Sequence, residues 1–264
     1  MSKKLFLTIL LSAIVSCAFA GSKHHSIKCP IKGYKLVWND EFEGRELDTS
    51  KWTYATGGGG WGNHEIQNYI SSAQTAEVSN GTLKIHLYKD GDNVYSARIY
   101  GNRNTGFRYG YVEARLKLPT GKGTWPAFWM MPVKTVKGWP HDGEIDIMEE
   151  VGYDPDKVLS TLHCTQYNNG GTPKESMGKV VSGSQTGFHT YAMEWTADKM
   201  DFYIDGKKFF TYTNDGTPEA WPFDTAFYPI LNLAWGGGWG GAKGIDESCL
   251  PAVYEIDYVR IFQK

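Results

Sequence analysis

The chain has 264 residues and a formal net charge of −2, from 27 basic and 29 acidic side chains, with an isoelectric point near 6.4. Nothing in that balance argues for nucleic acid or an anionic membrane surface as a partner. Ten Trp, sixteen Tyr, twelve Phe and thirty-one Gly suit many short strands joined by glycine turns, with aromatic platforms available to stack on sugar rings.

The N-terminus reads as an export signal. Lys3-Lys4 precedes an apolar run from Leu5 to Val15 that is too short to span a bilayer. Ala18-Phe-Ala20 is a small-x-small cleavage site, which makes residues 1–20 a signal peptide. Ile14-Val-Ser-Cys17 resembles a lipobox, slightly the better match, which makes 1–16 a lipoprotein signal with Cys17 acylated. Either way the chain is expected to be exported, to a bacterial cell surface or as a secreted or periplasmic protein. Residues 21–33 read as a short polar tether, and 34–264 as one domain. After the signal, Cys29, Cys164 and Cys249 are odd in number, so at most one disulfide forms, and no metal-ligand spacing connects them.

Residues 35–42 alternate as a strand, and Trp52 and Tyr54 are expected to pack inward. In Thr56-Gly-Gly-Gly-Gly-Trp-Gly-Asn63, four glycines before Trp61 make a loop able to lie close against a ligand. No Lys-Ser/Thr follows and no helix begins, so this is no phosphate loop. Residues 76–88 form a strand pair about Asn80-Gly81. Arg98 follows in residues 95–99, and 107–118 alternate cleanly. Trp125-Pro-Ala-Phe-Trp-Met-Met-Pro132 is too apolar for a surface loop. Regular extended spacing there would set Trp125 and Trp129 along one wall.

The centre of the chain is Gly143-Glu-Ile-Asp-Ile-Met-Glu-Glu-Val-Gly152. Alternation puts Glu144 and Asp146 on one face and the isoleucines on the other. Strict alternation would then present Met148 to the acidic face. One extra residue, a β-bulge around Ile147-Met148, brings Glu149 back beside the other acids. Crowded carboxylates are costly, and what they suit is glycoside hydrolysis. Two carboxyls about 5–5.5 Å apart serve double displacement with retention, and the bulged strand favours that spacing over the wider one of inversion. Glu144 is then the nucleophile and Glu149 the acid/base. Asp146 assists by hydrogen-bonding the nucleophile and by keeping the acid protonated with its charge.

Residues 159–163 would run beside this strand, ending at His163. Three strands follow at 188–195, 199–204 and 207–212, the last two joined at the hairpin signal Asp205-Gly206. Residues 228–235 lead into a second glycine-tryptophan loop containing Trp239, and 253–262 close the sheet. Helical periodicity is nearly absent, so the fold class is all-β, a two-sheet antiparallel sandwich.

The carboxylate motif resembles the active-site motif of glycoside hydrolase family 16 in its bulged form, Glu-x-Asp-x-x-Glu. Residues 124–132 and Asn232-Leu-Ala-Trp-Gly-Gly-Gly-Trp-Gly-Gly241 are also similar to the laminarinase branch, the endo-β-1,3-glucanases. The resemblance runs from about Tyr34 to the end. It implies a jelly roll whose concave cleft holds β-1,3-glucan, with mixed-linkage β-1,3-1,4-glucan as runner-up substrate. It implies substrate contacts at Trp61, Asn63, Arg98, Trp125, Trp129, His163 and Trp239. It leaves contact by Trp235 in doubt, because relatives often carry a smaller aliphatic residue there. No catalytic cofactor is implied. A structural calcium ion on Asp257 and the backbone carbonyls of Glu41 and Gly81 is, and the chain is expected to be a monomer. A galactan hydrolase, a transglycosylase and a non-catalytic glucan-binding sandwich remain the alternatives.

Overall fold

The computed structural model describes residues 27–167 and 176–264; the export signal, Cys17 and the first part of the tether lie outside the described residues. Numbered in chain order, the strands form two sheets. The seven-stranded sheet runs β12 (Ser176–Val180), β11 (Lys157–His163), β10 (Glu144–Glu149), β9 (Thr124–Pro132), β16 (Phe227–Trp235), β7 (Arg98–Gly101), β2 (Trp52–Ala55). The ten-stranded sheet runs β15 (Lys207–Thr213), β14 (Lys199–Ile204), β13 (His189–Trp195), β8 (Gly110–Lys117), β17 (Ala252–Gln263), β5 (Thr82–Asp90), β6 (Asn93–Ser96), β3 (Asn68–Tyr69). In that sheet β1 (Lys35–Asp40) pairs with β17 and β4 (Ala76–Ser79) with β5. Every pairing is antiparallel except the two-residue contact of β3 with β6. Among the described residues the one helical element is a 3-10 turn, Glu247–Cys249. This is the two-sheet sandwich expected, a jelly roll.

The core lies between the sheets. β8 contributes Val112, Ala114 and Leu116, and β5 Leu83, Ile85 and Leu87. They meet Phe128 and Met130 of β9, Leu231, Leu233 and Trp235 of β16, and Ile145, Ile147 and Met148 of β10. All nine residues of β16 are buried. Its core face meets the other sheet, and its outer face carries the floor of the cleft. Trp235 is fully buried in this core, so it is not a cleft residue.

Two observations go beyond the alternation. Tyr111 of β8, on the side away from the main core, is nearly fully buried. It clusters with Ala192 and Phe262, and Ile27, Cys29, Ile31 and Tyr34 pack against them. The apolar residues of the described part of the tether thus cover a patch on the outer face of the large sheet. No disulfide joins the three described cysteines.

The catalytic strand shows what selects its bulge. Asp146 pairs with Trp129 and Met148 with Phe128, so Ile147 is the extra residue against β9. Against β11, Asp146 opposes Thr161 and Glu149 opposes Leu159. Ile147 and Met148 are both buried in the core. An unbulged strand would turn Met148 out and Glu149 in. It would forfeit about 1.5–3 kcal/mol of side-chain burial and bury an unpaired carboxylate, which costs more still. The hydrophobic pattern therefore forces the carboxylate spacing.

Candidate active site

Side chains directly opposed across an antiparallel pair share a face. Asp146 opposes Trp129, Glu149 opposes Ala127, Asn232 opposes Ala127 and Arg98, and Glu144 opposes His163. These pairs define the outer face of the seven-stranded sheet, and over it lies a cleft of about 790 Å³. Glu144, Asp146, Glu149, Trp61, Asn63, Arg98, Trp125, Trp129, His163 and Trp239 all line it. Residues as far apart in sequence as Trp61 and Trp239 meet because the two glycine loops are tied together. Glu65 bridges Gly236, and the Gly238 N–H donates to the Asn63 carbonyl at 2.7 Å. Gly237 sits at φ +77°, and a Cβ there would come within 2.9 Å of that same carbonyl, so the contact requires glycine.

Each glutamate accepts from one indole. Trp125 Nε1 donates to Glu149 Oε1 at 2.9 Å, and Trp139 Nε1 to Glu144 Oε2 at 2.6 Å. Asp146, almost wholly buried, hydrogen-bonds Glu144, and its Oδ2 lies 3.1 Å from His163 Nε2. The candidate ligand atoms of Glu144, Asp146 and His163 lie within 4.8 Å of one another, the one such group of three among the described residues.

Burial pushes all three carboxyls up from their ordinary values. At Glu144 the charge of Asp146 adds to burial; His163, the Trp139 N–H and Arg98 pull the other way. At Glu149 the charges of both Asp146 and Glu144 add to burial, against the Trp125 N–H and His163. The two glutamates repel each other and Asp146 repels both, so they do not ionise together. Arg98, His163 and the Trp139 N–H all favour the anion at Glu144, whereas Glu149 has only the Trp125 N–H and His163, so Glu149 keeps its proton to the higher pH. A pair driven apart in this way supplies one acid and one anion at the same pH.

Around the acids stand flat apolar walls. Arg98 lies between two indoles, its Cζ 4.8 Å from the Trp61 ring and 4.6 Å from Trp129. Trp125 meets Trp239 edge-on at 5.3 Å. The Trp129 indole is oriented by a relay: its Nε1 donates to Asn232, Asn232 to the Tyr69 hydroxyl, and that hydroxyl to Glu65.

Sequence reasoning missed Trp139, Glu65 and Asn232. Trp139 stands five residues before Glu144, on the loop that feeds the catalytic strand, and an exposed indole so placed was the available signal. Glu65 and Asn232 carried none, because their roles depend on the loop-to-sheet contact. The residues expected to hold calcium lie elsewhere. β17 changes partner from β5 to β1 about a bulge at Asp257, and Gly81 and Glu41 stand at the ends of those two strands. Arg115 Nη1 takes Asp257 Oδ2, while Oδ1 has no partner among the described residues. The Glu41 side chain is held by Arg260. A carboxylate oxygen without a protein partner, at a bulge between two strand ends, is of the type that a hard, oxygen-seeking cation takes.

Residues 63–260 match the model of Glycosyl hydrolases family 16. The chain is 41% identical to the beta-glucanase of Rhodothermus marinus, over 96% of this chain and 93% of that protein. It is 38% identical to glucan endo-1,3-beta-glucosidase A1 of Niallia circulans, over 89% of this chain but 38% of that longer protein. Among solved structures, the laminarinase from Flavobacterium sp. UMI-01 is similar with a TM-score of 0.82 and 42% identity, covering 87% of this chain and 100% of that one. With paired glutamates on a bulged strand and likeness of this extent, the chain is a glycoside hydrolase and belongs to family 16.

Proposed function

We propose that the chain is an exported, endo-acting, retaining β-glucanase that cleaves β-1,3-glucan and, as second substrate, mixed-linkage β-1,3-1,4-glucan. The observation that carries this reading is the bulged strand, which sets Glu144 and Glu149 in one indole-walled cleft and gives them different charge environments. In the first step Glu144 attacks the anomeric carbon while Glu149 passes its proton to the glycosidic oxygen, releasing one sugar fragment and leaving a glycosyl ester on Glu144. In the second, Glu149 takes a proton from water, which attacks the same carbon and frees Glu144. Asp146 hydrogen-bonds the nucleophile, His163 stands behind Asp146, and the indoles stack on sugar rings. No cofactor enters this chemistry.

Among the described residues that line the cleft Arg98 is the one Lys or Arg, and it is spent between Trp61 and Trp129. A sulfated galactan would need a set of free cations, so the lining supports a neutral glucan. The names of the three relatives given above support a glucan, and that of the Niallia circulans protein supports endo action. A keratan-sulfate endo-1,4-beta-galactosidase of Sphingobacterium multivorum, 34% identical, keeps a galactan in the test. The test is one assay across laminarin, mixed-linkage glucan, agarose and κ-carrageenan. Laminarin and mixed-linkage glucan are expected to be cut and both galactans left whole. Cleavage confined to a galactan would overturn the substrate while leaving the two-step mechanism in place. Longer oligomers formed at high acceptor concentration would mark a transglycosylase, and binding without any reducing-sugar release would mark a non-catalytic sandwich.

A structural calcium ion belongs to the same reading. It would take Asp257 Oδ1 and the carbonyls of Glu41 and Gly81, joining the first and last strands far from the acids. Chelation is expected to lower the melting temperature and added calcium to restore it, with activity at low temperature little changed. A melting temperature indifferent to both would remove the ion from the reading. Export, with or without a lipid on Cys17, rests on the basic and apolar N-terminal pattern and suits a polymer too large to enter a cell.

A further inference from the structure

Glu150, the residue after the proposed acid/base, faces away from the cleft. It is fully buried, and both of its oxygens are engaged: Ser184 Oγ lies 2.8 Å from Oε2, and Gln185 Nε2 donates to Oε1 at 2.7 Å. We propose that Glu150 is a positioning residue whose anchorage to Ser184 and Gln185 sets the aim of Glu149 into the cleft. The inference rests on Glu149 being the acid/base.

Consecutive residues of an extended chain point to opposite sides, so a roll of the strand end that moves one of these side chains moves the other. The backbone is loosely held at Glu150 itself, although Gly152 N donates to the Thr124 carbonyl at 2.9 Å just beyond. Its paired ladder with β9 ends at Glu149 and Ala127, and the next backbone contact, Glu150 N to the Pro126 carbonyl, stretches to 3.4 Å. The bulge lies just upstream, where the ladder is already interrupted. Side-chain contacts at Glu150 supply the constraint that the ladder lacks. Their far end is itself fixed, since the Ser184 carbonyl accepts from Leu118 N at 2.9 Å and Ser184 N donates to Asp156 Oδ1 at 3.1 Å.

A count of hydrogens gives the charge state of the anchor. Ser184 Oγ touches Glu150 Oε2 and also Asp156 Oδ1, at 3.0 Å. A hydroxyl has one hydrogen, so both contacts are hydrogen bonds only if one carboxyl brings a proton. Asp156 Oδ1 already accepts the N–H groups of Gly183 and Ser184, so it acts as an acceptor here. Glu150 is the neutral partner, donating to Ser184 Oγ, which donates to Asp156. Burial pushes the Glu150 carboxyl up to about 7, against the pull of Ser184 and Gln185. The other titratable group near it is Tyr191 of β13, whose buried phenol is raised far above its ordinary value and stays neutral.

The test uses Glu150→Ala and Glu150→Gln in the full chain, on laminarin and on an aryl β-glycoside whose leaving group needs little protonation. Glu150→Ala is expected to lower kcat on laminarin about tenfold through misplacement of the acid, with KM nearly unchanged and a much smaller loss on the aryl substrate. Glu150→Gln should recover most of that loss, because its amide N–H can donate to Ser184 in place of the acid. Melting supplies a second readout. A carboxyl raised in the fold contributes stability that is full below its unfolded value near 4.5 and is lost as pH rises through about 7. The advantage of Glu150→Gln over the parent should therefore grow across that window. Equal losses on both substrates, or a Gln variant as impaired as Ala, would reduce Glu150 to packing and overturn the proposal. If Glu150→Ala does not fold, Ser184→Ala, which removes one anchor, carries the same substrate comparison. Glu149→Gln, measured in parallel, separates the two failures: if it too loses equally on both substrates, the acid assignment has failed rather than the positioning.

Discussion

Glu144→Ala is expected to abolish glucan hydrolysis, with kcat down on the order of 10⁴-fold or more, as removal of a nucleophile does. Glu149→Ala should lose about 10²–10⁴-fold on the same polymer, the usual contribution of a positioned acid. Azide tells the two apart. With an activated aryl substrate and the Glu144 side chain gone, azide attacks from the vacated side and gives the α-glycosyl azide. With Glu149 gone, the glycosyl ester on Glu144 still forms, and azide attacks it from the other side to give the β-glycosyl azide. The reverse pattern would exchange the two roles. Loss on Glu150→Ala without loss on Glu149→Ala would mean that the bulge does not act where the register places it.

Glu149→Gln carries the second large effect, and it runs in opposite directions for activity and stability. Hydrolysis of glucan should fall about as far as in the alanine variant, whereas release of an activated aryl group should survive. The alkaline limb of the pH–rate profile for that first step should disappear with the titrating proton. Stability should rise. Burial and two neighbouring acids raise the Glu149 carboxyl well above its ordinary value. Its contribution to stability is thus full below the unfolded value and is lost progressively as pH climbs toward the folded one. A neutral isostere has no such loss, so the gain in melting temperature over the parent should widen with pH above about 4.5. A variant less stable than the parent at neutral pH would mean that the carboxyl is not strained by its neighbours.

The fold was legible because the sandwich rests on alternation, and alternation survives in one dimension. β8 and β17 declare their faces in sequence. The bulge was legible for a related reason: Met148 breaks the acidic face, and only an extra residue lets Met148 and Glu149 both find suitable surroundings. Trp139 was legible only as a tryptophan close before the motif, because its contact with Glu144 is made by a loop that folds back over the strand. The relay through Asn232, Tyr69 and Glu65 was hidden too, since it joins residues up to 163 positions apart. The packing of Ile27, Cys29 and Ile31 on the large sheet escaped notice because three apolar residues among polar ones look like a tether until a surface is present to receive them. Glu150 stood beside the acid/base in plain view, yet only the buried partners on its far side distinguish it from a solvated turn residue.

The two-step mechanism is tested most directly by proton NMR of the sugar anomers in the first minutes of laminarin cleavage by the parent enzyme, before mutarotation mixes them. Double displacement through Glu144 predicts that the new reducing ends appear first as the β-anomer and then relax toward equilibrium. First appearance of the α-anomer would show single displacement by water and would contradict a glycosyl ester on Glu144.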